Sequence, residues 1–283
     1  MPDDMKLVDV KNAVSAEEWQ ARVDCAMLYR LVALHGWDDM IFTHISHRVP
    51  GPEHHFLINP YGMFFDEITA SSLVKVDLDG NIVMPTDYEV NPAGFTIHSA
   101  VHMSVPEANA VIHTHSDDGV AVSAQADGLL PLSQTAMIVL EDLAYHDYEG
   151  IALEHDERER LVRDLGNKHC MILRNHGLLT AGATCADAFL RLYFLERACT
   201  MQVRALSGGV KLTMPNQGVP EKTADQGMFH KKHGIGKLAW PALLRTLDFS
   251  GLPLDRALRR MISLIKLPGE SQKIDRIIEA FAI

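Results

Sequence analysis

The sequence predicts a layered α/β or α+β protein, built as one main domain with a C-terminal extension. Three observations lead there. Short apolar runs of strand length alternate with longer segments of helical period, but irregularly, which argues against a regular βαβ winding. The 283 residues are 47% hydrophobic and 22% charged, an ordinary globular composition. A chain of that length holds one large domain or two small ones and buries a sizeable core without disulfide or metal staples. Finally, residues 15–206 carry nearly all of the periodic pattern. Residues 1–14 show none and read as a flexible arm; residues 207–283 open on the break Ser207-Gly208-Gly209 and read as a helical extension packed on the domain.

Ser15 with Glu18 forms a capping box, so a helix begins there. Trp19, Val23, Met27 and Leu34 supply its apolar stripe, and Gly36 ends it. Extended segments follow at 43–49, 56–59 and 74–78, the last turning at Asp79-Gly80 into Ile82-Val83, because glycine tolerates the positive φ of a hairpin turn. A short helix at 93–104 carries His98 and His102 one turn apart. The apolar strand 110–115 ends in His-Thr-His, and the small apolar stretch 119–126 continues as a helix that Asp117 and Asp118 would cap. Residues 136–140 read as a strand, and a charged helix from His155 or Asp156 stops at Gly166. Cys170–Leu173 is a buried strand running into Arg174-Asn175-His176-Gly177. Thr184 with Asp187 caps the longest helix, which extends to about Leu206. Residues 210–236 lack a clear period, and short helices are expected near 241–248, 252–265 and 271–281.

Charge excludes some function classes. Lys and Arg total 26 against 37 Asp and Glu, a net charge of −11. An acidic chain repels phosphate backbones and anionic headgroups, so nucleic-acid and membrane partners are not expected. No apolar run approaches the ~18 residues of a membrane span. The start, Met1-Pro2-Asp3-Asp4, has neither a basic nor an apolar signal region. Cys25, Cys170, Cys185 and Cys199 sit in apolar segments without CxxC spacing and read as reduced thiols of a cytoplasmic protein.

The unusual feature is 15 histidines. Residues i and i+2 of a strand share a face, so His113 and His115 project side by side from the end of the strand led by Ala110-Val111-Ile112. Two imidazoles there suit a metal-ligand pair; two strand-end histidines satisfied by hydrogen bonds are the competing reading, and spacing leaves both open. His176 also follows an apolar strand. Gly177 suggests a sharp turn beside it, and Asn175 could fix that turn through its side chain. Three neutral imidazoles with an open position make a catalytic, zinc-type site if the two strands are neighbours.

The segment Pro106-Glu107-Ala108-Asn109-Ala110-Val111-Ile112-His113-Thr114-His115 resembles the ligand signature of the class II aldolases and adducin head domains. Asn175-His176-Gly177 resembles that family's third-ligand motif, and His35-Gly36-Trp37 with Thr43-His44-Ile45-Ser46 resembles an upstream one. Residues 93–100 and 144–150 look closest to the adducin branch. The resemblance spans roughly 20–206. It implies a three-layer α/β/α sandwich around a mixed, mostly antiparallel sheet. It also implies one divalent metal ion per subunit on His113, His115 and His176, zinc foremost, with Mn, Fe or Co as alternatives. In the aldolases that ion is a Lewis acid that chelates substrate carbonyl and hydroxyl oxygens and stabilises an enediolate. A homotetramer with its site at a subunit boundary is implied as well.

The sequence departs from the aldolase pattern at informative points. The family's acid/base glutamate falls at Gly94, which has no side chain. Pro92 and Ala93 stand where small hydroxylated residues cradle phosphate, and His44 replaces the asparagine of the phosphate loop. A sugar-phosphate aldolase of the usual mechanism is therefore not expected. The resemblance brings His44 towards the metal, which makes it a candidate base, and implies that Tyr145, His146 and Tyr148 line the pocket mouth, Tyr145 and His146 as further catalytic candidates and Tyr148 as a rim residue. His98 reads as helix packing. Asp142 with Glu141 could orient an imidazole, and Arg174 could meet a carboxylate. The expected function is a metal-dependent lyase, by retro-aldol cleavage or decarboxylation, acting on a small unphosphorylated hydroxy-carbonyl or carboxylate substrate. The alternatives are a non-haem iron oxygenase on the same fold and a non-catalytic, adducin-like binding module.

Overall fold

The computed structural model describes residues 10–151, 157–227, 229 and 234–247. The chain divides into two compact units, Met1–Pro241 and Ala242–Ile283. The expected helices at 252–265 and 271–281 and the start of the charged helix at 155–156 lie outside the described residues.

In order, the elements are α1 (Val10–Ala13), α2 (Ala16–Leu34), β1 (His44–Arg48), β2 (Phe56–Ile58), β3 (Val74–Val76), α3 (Pro92–Ser104), β4 (Ala110–Thr114), α4 (Asp117–Ser123), α5 (Gln134–Leu140), β5 (Leu143–His146), α6 (Glu157–Leu165), β6 (Cys170–Leu173), β7 (Gly177–Gly182), α7 (Cys185–Ser207), α8 (Val219–Gln226) and α9 (Trp240–Leu247). The strands form one sheet in the order β3-β2-β1-β4-β7-β6-β5. Every neighbouring pair is antiparallel except β5 with β6. This is the mixed, mostly antiparallel sheet expected, covered by helices on both faces.

Alternation along the strands builds the two cores. Val111, Met171, Leu173, Leu179 and Ala181 face Ile97 and Val101 of α3 and Leu161 and Leu165 of α6. Their neighbours Cys170, Ile172 and Leu178 face Val122 of α4, Ala136 and Val139 of α5, and Leu195 and Cys199 of α7. His113, two residues from Val111, therefore lies on the α3 side of the sheet.

Caps predicted from sequence hold where a hydroxyl precedes the first turn. Ser15 accepts from Glu18 N at 3.1 Å and Thr184 from Asp187 N at 3.1 Å. The cap of α4 is Ser116, not Asp117 or Asp118. Three expectations need correction. Residues 136–140 are helical rather than extended, because Ser133 caps α5 and Ala136 and Val139 bury at helical spacing; a short apolar run does not distinguish the two by periodicity. The strand is β5, a few residues later. The buried face of α2 is rotated from the expected stripe: Arg22, Cys25, Leu28, Tyr29 and Val32 go inside, whereas Trp19, Val23, Met27 and Leu34 are only half-buried. Arg22 is tolerated there because it pairs with Glu18 at 3.0 Å and donates to Leu73 O at 2.8 Å. Finally, β7 and α8 occupy stretches in which no element was expected.

Candidate metal centre

Register brings the two strand ends together. β1, β4 and β7 are adjacent, with His44 opposite His113 and His113 opposite Leu179. The turn between β6 and β7 carries His176. Asn175, not Gly177, takes the left-handed conformation in that turn, with φ of 55°. Gly177 is required for a different reason: a Cβ there would lie 2.3 Å from Thr114 O. That close approach lets the turn lie against the end of β4.

His113, His115 and His176 present ligand nitrogens that all lie within 4.8 Å of one another. His113 Nε2 is 2.9 Å from His115 Nε2 and 3.3 Å from His176 Nε2. His113 Nδ1 donates to Leu178 O at 2.9 Å and His115 Nδ1 donates to the Asp39 carboxylate at 3.0 Å. With Nδ1 committed as the donor on both rings, Nε2 of His113 and Nε2 of His115 face each other, and a ring carrying a single hydrogen has only a lone pair to offer there. One proton could satisfy one of these contacts; a divalent cation satisfies both. Ligands of a tetrahedral zinc at ~2.0–2.1 Å sit about 3.3 Å apart, close to the spacing here, so the residues fit a metal ion. Burial holds His113 well below the usual histidine range, and the neighbouring His176, His44 and His115 add to it. His176 is lowered to about 4, again mainly by burial. Neutral imidazoles are the form that ligates metal. Asp39, the carboxylate that orients His115, was not anticipated.

His44 lies over this cage, its ring 5.0 Å from that of His113. It is buried and lowered to about 3, mainly by burial. The space beside it explains Gly94. A Cβ at 94 would lie 2.6 Å from His44 Cδ2 and 3.0 Å from Nε2. The imidazole of His44 thus fills the position that a side chain at 94 would otherwise take. The cage opens into a cleft of about 410 Å³ lined by Asp39, Phe42, Tyr61, Asn91, Tyr148 and Ile151 together with the histidines. Among the described lining residues there is no Lys or Arg.

Tyr145 and His146 do not line this cleft. They lie on β5, the sheet edge three strands from β4. Tyr145 packs against the α5–α7 core, its hydroxyl accepting from Leu129 N at 3.0 Å. His146 turns to α6, where Nδ1 donates to Asp164 at 2.8 Å and Nε2 lies 3.6 Å from Glu157. Tyr148, two residues on, reaches the site, with its ring 6.0 Å from that of His176. Asp142 does orient an imidazole, but that of His169 at 2.9 Å, while its other oxygen accepts from Arg191. Arg174 is engaged elsewhere: it donates to Gln125 O at 2.7 Å and stacks 4.4 Å over the Tyr145 ring.

Fold and site together define a three-layer α/β/α protein with a triad of histidines in metal-ligand geometry at the end of its central strands. The chain belongs to the class II aldolase and adducin N-terminal domain family, whose family model matches residues 23–203. It is 63% identical over 243 residues to a Caulobacter vibrioides protein named "Putative aldolase class 2 protein", covering 85% of this chain and 94% of that one. It is 42% identical to mouse alpha-adducin over 81% of this chain but only 33% of the adducin. Among solved structures, an aldolase II superfamily protein from Pseudomonas syringae superposes with a TM-score of 0.81 at 53% identity, covering 86% of this chain and 97% of that one. An L-fuculose 1-phosphate aldolase from Glaciozyma antarctica superposes at 0.71 with 26% identity, covering 87% and 94%. A Sec7 domain model also matches residues 230–283, most of which lie outside the described residues. No described helix is long and apolar enough to cross a membrane.

Proposed function

We propose that the chain is a divalent-metal-dependent lyase that cleaves a small, unphosphorylated hydroxy-carbonyl or carboxylate substrate, by retro-aldol reaction or decarboxylation. The observation that carries this reading is the 2.9 Å approach of two imidazole nitrogens whose rings have each committed Nδ1 as a donor. His113, His115 and His176 would hold the ion. Bound there, it supplies Lewis-acid stabilisation of the negative charge that either reaction develops beside a carbonyl.

The rest follows from the chain's own residues. His44 is the proton acceptor, because it occupies the space at Gly94 where the family's glutamate would project. Tyr148, rather than Tyr145 or His146, is placed to donate a proton at the open side. Phe42, Tyr61 and Ile151 give the cleft apolar walls. Among its described lining residues the cleft has no Lys or Arg to offer a phosphate, which supports a substrate class different from that in the name of the Glaciozyma enzyme. Assembly as a homotetramer and residence in the cytoplasm complete the proposal; the four free, buried cysteines suit a reducing compartment.

The test is elemental analysis of the purified protein, zinc foremost, followed by assays of the metal-loaded chain on unphosphorylated hydroxy-acids and hydroxy-ketones. Release of a small aldehyde, ketone or CO₂ that stops on chelation is expected. A metal-free protein that takes up no zinc, manganese, iron or cobalt would sink the reading.

A further inference from the structure

Behind His44 runs a buried chain of hydrogen bonds that ends on one backbone carbonyl. His44 Nδ1 lies 2.8 Å from His98 Nε2. His98 Nδ1 lies 2.5 Å from Ser46 Oγ, which is 2.7 Å from His102 Nε2. His102 Nδ1 lies 3.1 Å from Ala108 O. All four side chains are buried. No carboxylate makes a described hydrogen bond with His44, His98 or His102. Buried imidazoles without a carboxylate stay neutral, since burial disfavours the charged form.

The direction of each bond then follows from one end. The carbonyl of Ala108 can only accept, so His102 carries its hydrogen on Nδ1 and leaves Nε2 bare. That nitrogen must accept, so the single hydroxyl proton of Ser46 points at it. Ser46 Oγ, its proton used, accepts from His98 Nδ1–H. His98 Nε2 is then bare and accepts from His44 Nδ1–H. His44 is left with a bare Nε2, the nitrogen beside Gly94 and the cleft.

We infer that His98, Ser46 and His102 are positioning residues that lock His44 in its Nδ1–H tautomer and so present an unprotonated Nε2 to the cleft. The relay has no acid at its far end. Ser46 is the junction, because it alone turns a donor on one ring into an acceptor for the other. A role for His44 as base rests on the lyase reading; the tautomer does not.

The experiment is ¹⁵N NMR of the imidazoles in zinc-loaded protein with labelled histidine, His44 being assigned by comparison with His44→Gln. Wild type should show a pyrrole-type Nδ1 and a pyridine-type Nε2 for His44. Ser46→Ala should abolish that separation. His98→Gln should keep it, because the amide oxygen accepts from His44 while the amide nitrogen donates to Ser46. A protonated Nε2 in wild type, or an unchanged His44 signature in Ser46→Ala, overturns the inference. If Ser46→Ala fails to fold, the wild-type spectrum alone decides. Zinc content is measured on the same samples: bound zinc with the opposite tautomer removes the relay alone, and the stated tautomer without bound zinc removes the lyase reading alone.

Discussion

Replacing Gly94 by alanine sets two effects of opposite sign against each other. Gly94 lies in the first turn of α3. Helix propensity alone favours alanine over glycine there by up to about 1 kcal/mol. Packing opposes it. The new methyl would meet three ring atoms of His44 at 2.6, 2.8 and 3.0 Å, where carbon contacts prefer ~3.5–4.0 Å. The ring must therefore retreat by about 1 Å. It is pinned behind by the 2.8 Å bond to His98 and on one side by the ring of His113. Overpacking costs about 1–3 kcal/mol, and leaving a buried partner of that bond unsatisfied costs about 1–3 kcal/mol more. The net expectation is a loss of about 1–5 kcal/mol after the propensity gain. Urea unfolding at fixed protein and zinc concentration measures it. Repeating the substitution in a His44→Ala background closes a double-mutant cycle; there Gly94→Ala should be neutral or stabilising. A variant at least as stable as wild type, or the same loss in both backgrounds, would refute the claim that His44 occupies the space at 94.

Other expectations can be checked directly. His113→Ala should leave a soluble, folded chain with bound metal sharply reduced by elemental analysis; unchanged metal would defeat the ligand assignment. Asp39→Asn should weaken metal binding by about 10- to 100-fold through loss of the carboxylate that orients His115, read by competition with a chelator. Burial pushes the Glu196 carboxyl up to about 7 despite hydrogen bonds from Ser116 and Thr114, against 4.5 for the free group. The folded state then holds that proton more tightly than the unfolded state. This contribution is complete below about pH 4.5 and is lost as pH rises to about 7, a change of about 3 kcal/mol. Glu196→Gln should remove that fall from the urea-unfolding profile between pH 4.5 and 8, and a parallel profile would contradict the assignment.

The pairing of His113 with His115 was legible because strand geometry is local. His113 and His115 share a face by the period of two, and Cys170–Leu173 is apolar enough to be seen as the strand before His176. That these two strands stand one apart, with a single strand between them, was not legible from spacing. It depends on β7, whose run Gly-Leu-Leu-Thr-Ala-Gly is too short and unpatterned to announce itself. Asp39 was hidden for another reason: it meets His115 across 76 residues of chain, and nothing near it in sequence marks it. Tyr145 and His146 are candidates only through the family resemblance, which does not reveal that both lie on β5 at the far edge of the sheet. The stripe on α2 was mistaken because periodicity assigns arginine to solvent, whereas Arg22 finds carboxylate and carbonyl partners inside. The significance of Gly94 could be stated from sequence only as a missing glutamate; that an imidazole from another element stands in the gap is visible only in three dimensions.

The tight apposition of Gly177 to the carbonyl of Thr114 has a consequence for metal choice. A turn clamped directly to the neighbouring strand fixes where His113 and His176 stand before any ion arrives. Imidazole donors alone do not single out one first-row divalent ion, because their affinities follow a general order and selectivity comes from geometry and supply. Which ion the protein carries in a cell would then be decided by what the surroundings offer, and the same polypeptide could change reactivity when that supply changes.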